Sequence, residues 1–179
     1  MGWKRLGLVF APHRDLGWAK SHAQVPTPFI KDDSTIRVYY AARDSKNMSR
    51  ISFVDLDSSD PRRILYVHRE PILEPGRLGS FDDCGVMPSW VVVNKGRIYL
   101  YYVGWNVRNT VPYYNSVGLA ISEDGGQTFK RFSDGPLWDR NYREPYFSAT
   151  TCVLFDKGIW RCWYLSCTEY RVINGIAEP

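Results

Sequence analysis

No stretch of this 179-residue sequence approaches the roughly 20 consecutive apolar residues that a membrane-crossing helix needs. Its start, MGWKRLGLVFAP, is apolar for only a few residues before Pro12, too short for a secretory signal. A soluble, cytoplasmic protein without a membrane partner is therefore expected. Cysteine is sparse: Cys84, Cys152, Cys162 and Cys167 form no CxxC pair, and no histidine stands at zinc spacing from them. Neither a metal site nor a cofactor is expected, and reduced thiols are the default in that compartment. Charge of one sign is lacking too. The net charge of +4 is mild and Arg62-Arg63 is a short cluster, which disfavours a nucleic-acid partner. Helix signals are nearly absent.

What is present is aromatic and β-forming. Seven Trp and twelve Tyr exceed what a core of this size usually needs. Such an excess suits a surface that stacks sugars or bases, and it equally suits strands. Three runs are alike: PTPFIKDDSTIRVYYAARD from Pro26, PSWVVVNKGRIYLYYVGW from Pro88 and TTCVLFDKGIWRCWYLSC from Thr150. Tyr40, Tyr102 and Tyr164 stand 62 residues apart, as do Ile36, Ile98 and Trp160, and Val38, Leu100 and Cys162. Each unit reads as strand, tight turn (DDS, NKG, DKG), strand, a β-hairpin pattern. Hairpins are expected near 26–44, 88–105 and 150–167.

Two further strand-like runs follow each of the first two hairpins: Ser49 to Asp57 and Arg63 to His68, then Asn115 to Ser122 and Gln127 to Phe132. Four antiparallel strands per repeat, with near-continuous apolar character in the first two, describe a β-propeller blade. The fold class expected is all-β, with the whole chain (1–179) forming one partial propeller domain of two and a half to three blades. Residues Gly7 to Phe10 read as an outer strand that closes the ring on a last blade. Propellers need about four to eight blades. Either self-association or missing C-terminal blades of a longer protein would then complete the ring.

In SEDGGQTF, the residues Ser122, Asp124, Gly126, Thr128 and Phe129 resemble the S-x-D-x-G-x-T-W/F Asp box of sialidases and related propellers. The resemblance implies a structural hairpin cap with Gly at positive φ.

The start of a hairpin's first strand and the end of its second lie at one edge. Six segments should therefore ring one mouth: Ser21 to Gln24, Phe81 to Cys84, Arg143 to Tyr146, Arg43-Asp44, Gly104-Trp105 and Ser166-Cys167. In the 62-residue register Asp82 aligns with Glu144. Two carboxylates about 5 to 10 Å apart could cleave a glycosidic bond, one as proton donor and one as nucleophile or base. The register chooses Asp82 over Asp83, and one inserted residue reverses the choice. Trp105 could stack on a sugar face, and Arg43 or Arg143 could hold an acidic neighbour ionised. The bland alternatives are turn-forming aspartates and a surface Arg–Glu bridge.

The hairpin pattern, GSFDDCGVMPSWVV, VGLAISEDGGQTFKRF and the REP at Arg143 to Pro145 together resemble the five-bladed propeller superfamily of arabinanases, xylosidases, invertases and levansucrases. The likeness is strongest to glycosyl-hydrolase-like members found with polysaccharide biosynthesis genes. It implies a fivefold ring with an acidic funnel and an oligo- or polysaccharide partner. It implies a first-blade Asp as base or nucleophile, a second-blade Asp that tunes pKa and a third-blade Glu as general acid. Glu144 matches the third and Asp82 or Asp83 the second. The first blade departs: His22-Ala23-Gln24-Val25-Pro26-Thr27-Pro28 holds no carboxylate, and Asp44 or Asp15 would have to substitute from nearby loops. Hydrolysis at the mouth, with His22, Arg43, Asp44, Trp105 and Arg143 contacting substrate, therefore competes with a non-catalytic glycan-binding propeller. A three-residue loop at Asp156 to Gly158 would oppose Cys152 and Cys162. A two-residue loop would not, and free thiols are expected in either case.

Overall fold

The computed structural model describes residues 2–179, and among them every regular element is a β-strand. The first unit comprises β1 (Ser21–Asp32), β2 (Thr35–Arg43), β3 (Ser49–Asp57) and β4 (Ile64–Val67). The second repeats it with β5 (Gly85–Asn94), β6 (Arg97–Val107), β7 (Tyr113–Ser122) and β8 (Lys130–Arg131). A third hairpin, β9 (Ser148–Asp156) and β10 (Ile159–Ser166), follows. Within each unit the strands pair antiparallel in chain order, and a parallel bridge between Ser49 and Gly85 joins the first two units. The sheets do not close on themselves.

Turn chemistry sets the registers. Lys95-Gly96 and Lys157-Gly158 are two-residue loops with φ of 50° and 77°, and 49° and 80°. Positive φ at both central positions gives a turn whose twist matches the flanking strands. Because the third loop has two residues, Cys162 pairs with Val153 while Cys152 pairs with Trp163. The two cysteines are not opposed, and all four are free thiols. The same turn signal, Asn174-Gly175, closes a small hairpin absent from the sequence reading, β11 (Arg171–Ile173) with β12 (Ile176–Glu178).

The units pack face to face. Tyr39, Ile51, Phe53, Leu73, Val86, Leu100 and Tyr102 make the core between the first and second. Val103, Tyr114, Phe147, Ala149 and Cys167 make that between the second and third. Fully burying one such side chain is worth roughly 1.5–3 kcal/mol, so these two interfaces dominate stability. Residues 7–10 hold no strand. Phe10 lies 5.0 Å from the Tyr40 ring, on the free side of the first unit.

Polar locks fix the units against each other. Arg37 is fully buried and forks onto Asp55 at 2.7 and 2.8 Å, while its Nη1 donates to the Gly126 carbonyl at 3.0 Å. Gly126 belongs to the SEDGGQTF turn, where Asp124 accepts from the amides of Gln127 and Thr128 and from the Thr128 hydroxyl at 2.6 Å. Burial of Asp124 would raise its pKa. The bonds from Thr128, Ser122 and Gln127 outweigh that and hold the carboxyl far below its usual value. A second lock repeats at 62-residue spacing: Thr27, Ser89 and Thr151 are all buried at bulged stretches of the inner strands. The Thr151 amide donates to Ser89 Oγ at 2.6 Å, and Trp90 Nε1 to the Val153 carbonyl at 2.8 Å.

Candidate functional site

The edge where β1, β5 and β9 begin is also where β2, β6 and β10 end, as the pairs Ser21–Arg43, Gly85–Trp105 and Ser148–Ser166 show. At this edge Arg43 and Trp105 meet. The guanidinium carbon stands 5.6 Å from the indole centroid, within cation–π range. Trp105 is held by Nε1 donating to Ser49 Oγ at 2.9 Å. Gly85 makes that approach possible, because a Cβ there would collide with both Ser49 Oγ and Trp105 Nε1. Arg43 is held from the other side, its Nε donating to Gln24 Oε1 at 3.1 Å. Gln24 is aimed by two irregularities in β1, which place His22 at φ 64° and Val25 at φ 50°. Positive φ in a β-branched residue is strained.

Beside this pair opens a cleft of about 320 Å³ lined by Arg43, Met87, Trp105, Pro112, Tyr113 and Asn115. Two polar atoms nearby are shielded from solvent and without a hydrogen-bond partner among the described residues: Oδ1 of Asn115, in the lining, and Nε2 of Gln24, which is outside the lining but holds Arg43. Unpaired buried polar groups are uncommon and costly, so each calls for a partner. Neither Gln24 nor Asn115 was singled out from sequence. The bulges that aim Gln24 leave no composition signal, and Asn115 is visible only once Trp105 is known to pair with it across β6 and β7.

None of the candidate carboxylates lines this cleft. Asp82 is only 1% exposed. Its Oδ2 accepts from Arg131 Nη2 at 2.8 Å, Arg131 Nε at 3.0 Å and the Tyr102 hydroxyl at 3.1 Å, and its Oδ1 from Ser80 Oγ at 2.9 Å. Asp83 accepts from the Gly79 amide at 2.8 Å and Asn106 Nδ2 at 2.6 Å. Burial alone would raise the Asp83 pKa, but those bonds lower it overall. Asp44 caps its own loop through the Lys46 and Met48 amides and pairs with Arg50 at 2.8 Å. Glu144 is partly exposed and accepts from the Tyr164 hydroxyl at 2.9 and 3.1 Å. That bond, helped by Ser166, lowers its pKa. Arg143 is exposed over Tyr142, and exposed His22 bonds Ser21 Oγ at 2.8 Å. The structure thus joins Arg43 to Trp105. No hydrogen bond links Asp82, Asp83 and Glu144 to one another among the described residues.

No protein-family model matches the chain. Among solved structures it resembles a member of the GH130 family of mannoside phosphorylases, which contains glycoside hydrolases that target β-1,2 mannosidic linkages in Candida mannan. That match has a TM-score of 0.63 at 16% identity over 96% of this chain and 47% of the other. Sucrose-6-phosphate hydrolase from Lactobacillus gasseri matches with a TM-score of 0.62 at 12% identity, over 86% and 30%. The chain has the fold of the propeller-type glycoside hydrolases. A family 117 glycoside hydrolase of Zobellia galactanivorans shares that fold, with a TM-score of 0.56 at 18% identity over 91% and 48%. In sequence, the chain is 41% identical to the uncharacterized protein Rv1502 of Mycobacterium tuberculosis over 92% of its own length and 54% of that protein's. It is 34% identical over 111 residues to 1,2-beta-oligomannan phosphorylase of a Thermoanaerobacter species, covering 59% of this chain and 34% of that enzyme. The chain therefore spans about half the length of the Mycobacterium relative and a third of the Thermoanaerobacter one. No helix among the described residues is long and apolar enough to cross a membrane.

Proposed function

We propose that this chain supplies part of the glycan-binding mouth of a carbohydrate-active, five-bladed propeller. The two four-stranded units are two of its blades and β9–β10 the start of a third. The observation that carries this reading is the Arg43–Trp105 shelf, flanked by the unpartnered Asn115 Oδ1 and Gln24 Nε2. An aromatic face suits the apolar face of a pyranose, and the two amides supply an acceptor and a donor for its polar substituents. β-1,2-linked mannooligosaccharides are the first ligands to try, since a homologous enzyme and a fold neighbour are named for them. In the full-length protein, Trp105→Ala should weaken their binding by calorimetry about tenfold or more, in line with 1–3 kcal/mol for loss of a stacking aromatic. Unchanged affinity would remove the shelf from the site.

Glycosidic cleavage by this chain's own carboxylates is the second reading, favoured by the fold neighbours and by the partial exposure of Glu144. Two facts weigh against it. Every oxygen of Asp82 is taken by structural donors, and Glu144 is tuned to ionise more easily, the opposite of what a proton donor needs at neutral pH. A glycoside and phosphorolysis screen of the full-length protein with Glu144→Gln as control decides it. Turnover abolished in that variant would establish the acid role, and equal turnover would exclude it.

A further inference from the structure

We infer that the Arg43 cleft selects a sugar bearing a carboxylate, a uronic acid residue or its equivalent, over a neutral one. This inference rests on the glycan-binding reading above and sharpens its substrate class. Arg43 uses only Nε on the protein, leaving both terminal nitrogens without a protein partner among the described residues. Its sequence neighbour Asp44 is held by Arg50 at 2.8 Å and by two loop amides, so it does not neutralise Arg43. The cleft lining holds one cation and no anion. The unpartnered Gln24 Nε2 adds a donor next to the guanidinium, because Gln24 Oε1 already accepts from Arg43 Nε.

A half-buried guanidinium with two free nitrogens in one plane matches the two oxygens of a carboxylate, and charge-assisted forks of this kind are among the stronger hydrogen bonds. The single positive charge suits a monoanion, whereas a phosphate ester would carry nearly two charges against it. Asn115 Oδ1, an acceptor, repels an anion and is suited instead to a ring hydroxyl. The geometry therefore orients the sugar with its carboxylate toward Arg43 and Gln24, its face on Trp105 and a hydroxyl on Asn115.

Calorimetry on the full-length protein with three oligosaccharides of equal length tests this: one neutral, one ending in a uronic acid, one ending in a sugar phosphate. The uronate is expected to bind about tenfold tighter than the neutral ligand at low salt, with Arg43→Gln abolishing that preference. Neutral ligand binding as tightly as uronate, a preference retained in Arg43→Gln, or phosphate bound tighter than uronate would overturn the inference while leaving glycan binding intact. Failure of all three ligands would overturn both. If Arg43→Gln does not fold, the salt dependence of the parent protein decides instead. The uronate preference should shrink from low to high ionic strength while neutral binding stays constant, and a salt-independent preference would contradict the inference.

Discussion

Asp82 and Glu144 occupy the same place in two successive repeats, yet their surroundings differ. In the second unit the Tyr102 hydroxyl donates to Asp82, and 62 residues later the Tyr164 hydroxyl donates to Glu144. The acid–tyrosine pair is thus part of the repeat itself. What differs is the third member. Arg131, on the outer strand β8, forks onto Asp82 and seals it, whereas β10 has only β9 beside it among the described residues. The tyrosines record the difference: Tyr102 is 0% exposed and Tyr164 41%. Register equivalence therefore identified a shared structural position, and the chemistry of each carboxylate is set by what covers it.

The comparison is broken most severely at the sealed acid. Asp82→Ala leaves the half-buried Arg131 without its carboxylate and the buried Tyr102 hydroxyl without its acceptor, and should cost about 3 kcal/mol in urea unfolding, the lower end of the penalty for half a buried ion pair. Glu144→Ala should leave the unfolding midpoint unchanged within error, and equal destabilisation by both would erase the contrast. Arg37→Ala, which leaves buried Asp55 with only the Lys31 ammonium and frees the SEDGGQTF turn, belongs in the severe class with Asp82→Ala.

Smaller effects sharpen the picture. Asp124→Ala removes a cap satisfying two backbone amides and should cost about 1 kcal/mol, as helix-capping losses do. Its folded pKa is depressed, so its contribution is complete above the ordinary value of 3.8 and disappears as pH falls from there through the folded value. Acid unfolding of Asp124→Ala should accordingly be less steep than that of the parent below pH 3.8. The smallest change expected is at the third hairpin turn. Lys157 sits at φ 49°, where asparagine is better tolerated, so Lys157→Asn should stabilise by a few tenths of a kcal/mol in thermal melts.

The sequence carried the strand order well, because a 62-residue repeat of paired aromatic strands tolerates few alternatives. β3 spans Ser49–Asp57, and β7 begins two residues before the Asn115 read as its start. Loop length was legible only in part: NKG and DKG read as tight turns, with two or three residues left open for DKG, and the pairing of Asn94 with Arg97 and of Asp156 with Ile159 makes both loops two residues long. The Asn174-Gly175 hairpin was overlooked although its dipeptide is among the strongest turn signals. Trp105 and Arg43 were recoverable as neighbours because both lie toward the end of second strands at one edge. Gln24 and Asn115 were not, since their importance lies in single atoms left unpaired by bulges and cross-strand pairing. The burial of Asp82 depended on Arg131, 49 residues away in sequence, a contact no local pattern encodes.

The most direct test sets the shelf against the acids in one titration of the full-length protein with β-1,2-mannooligosaccharide and its uronate-bearing counterpart. The parent and Glu144→Gln should bind the preferred ligand with equal affinity, while Trp105→Ala should lose it. Binding that survives Trp105→Ala but is lost in Glu144→Gln would contradict the account and return the site to the carboxylates.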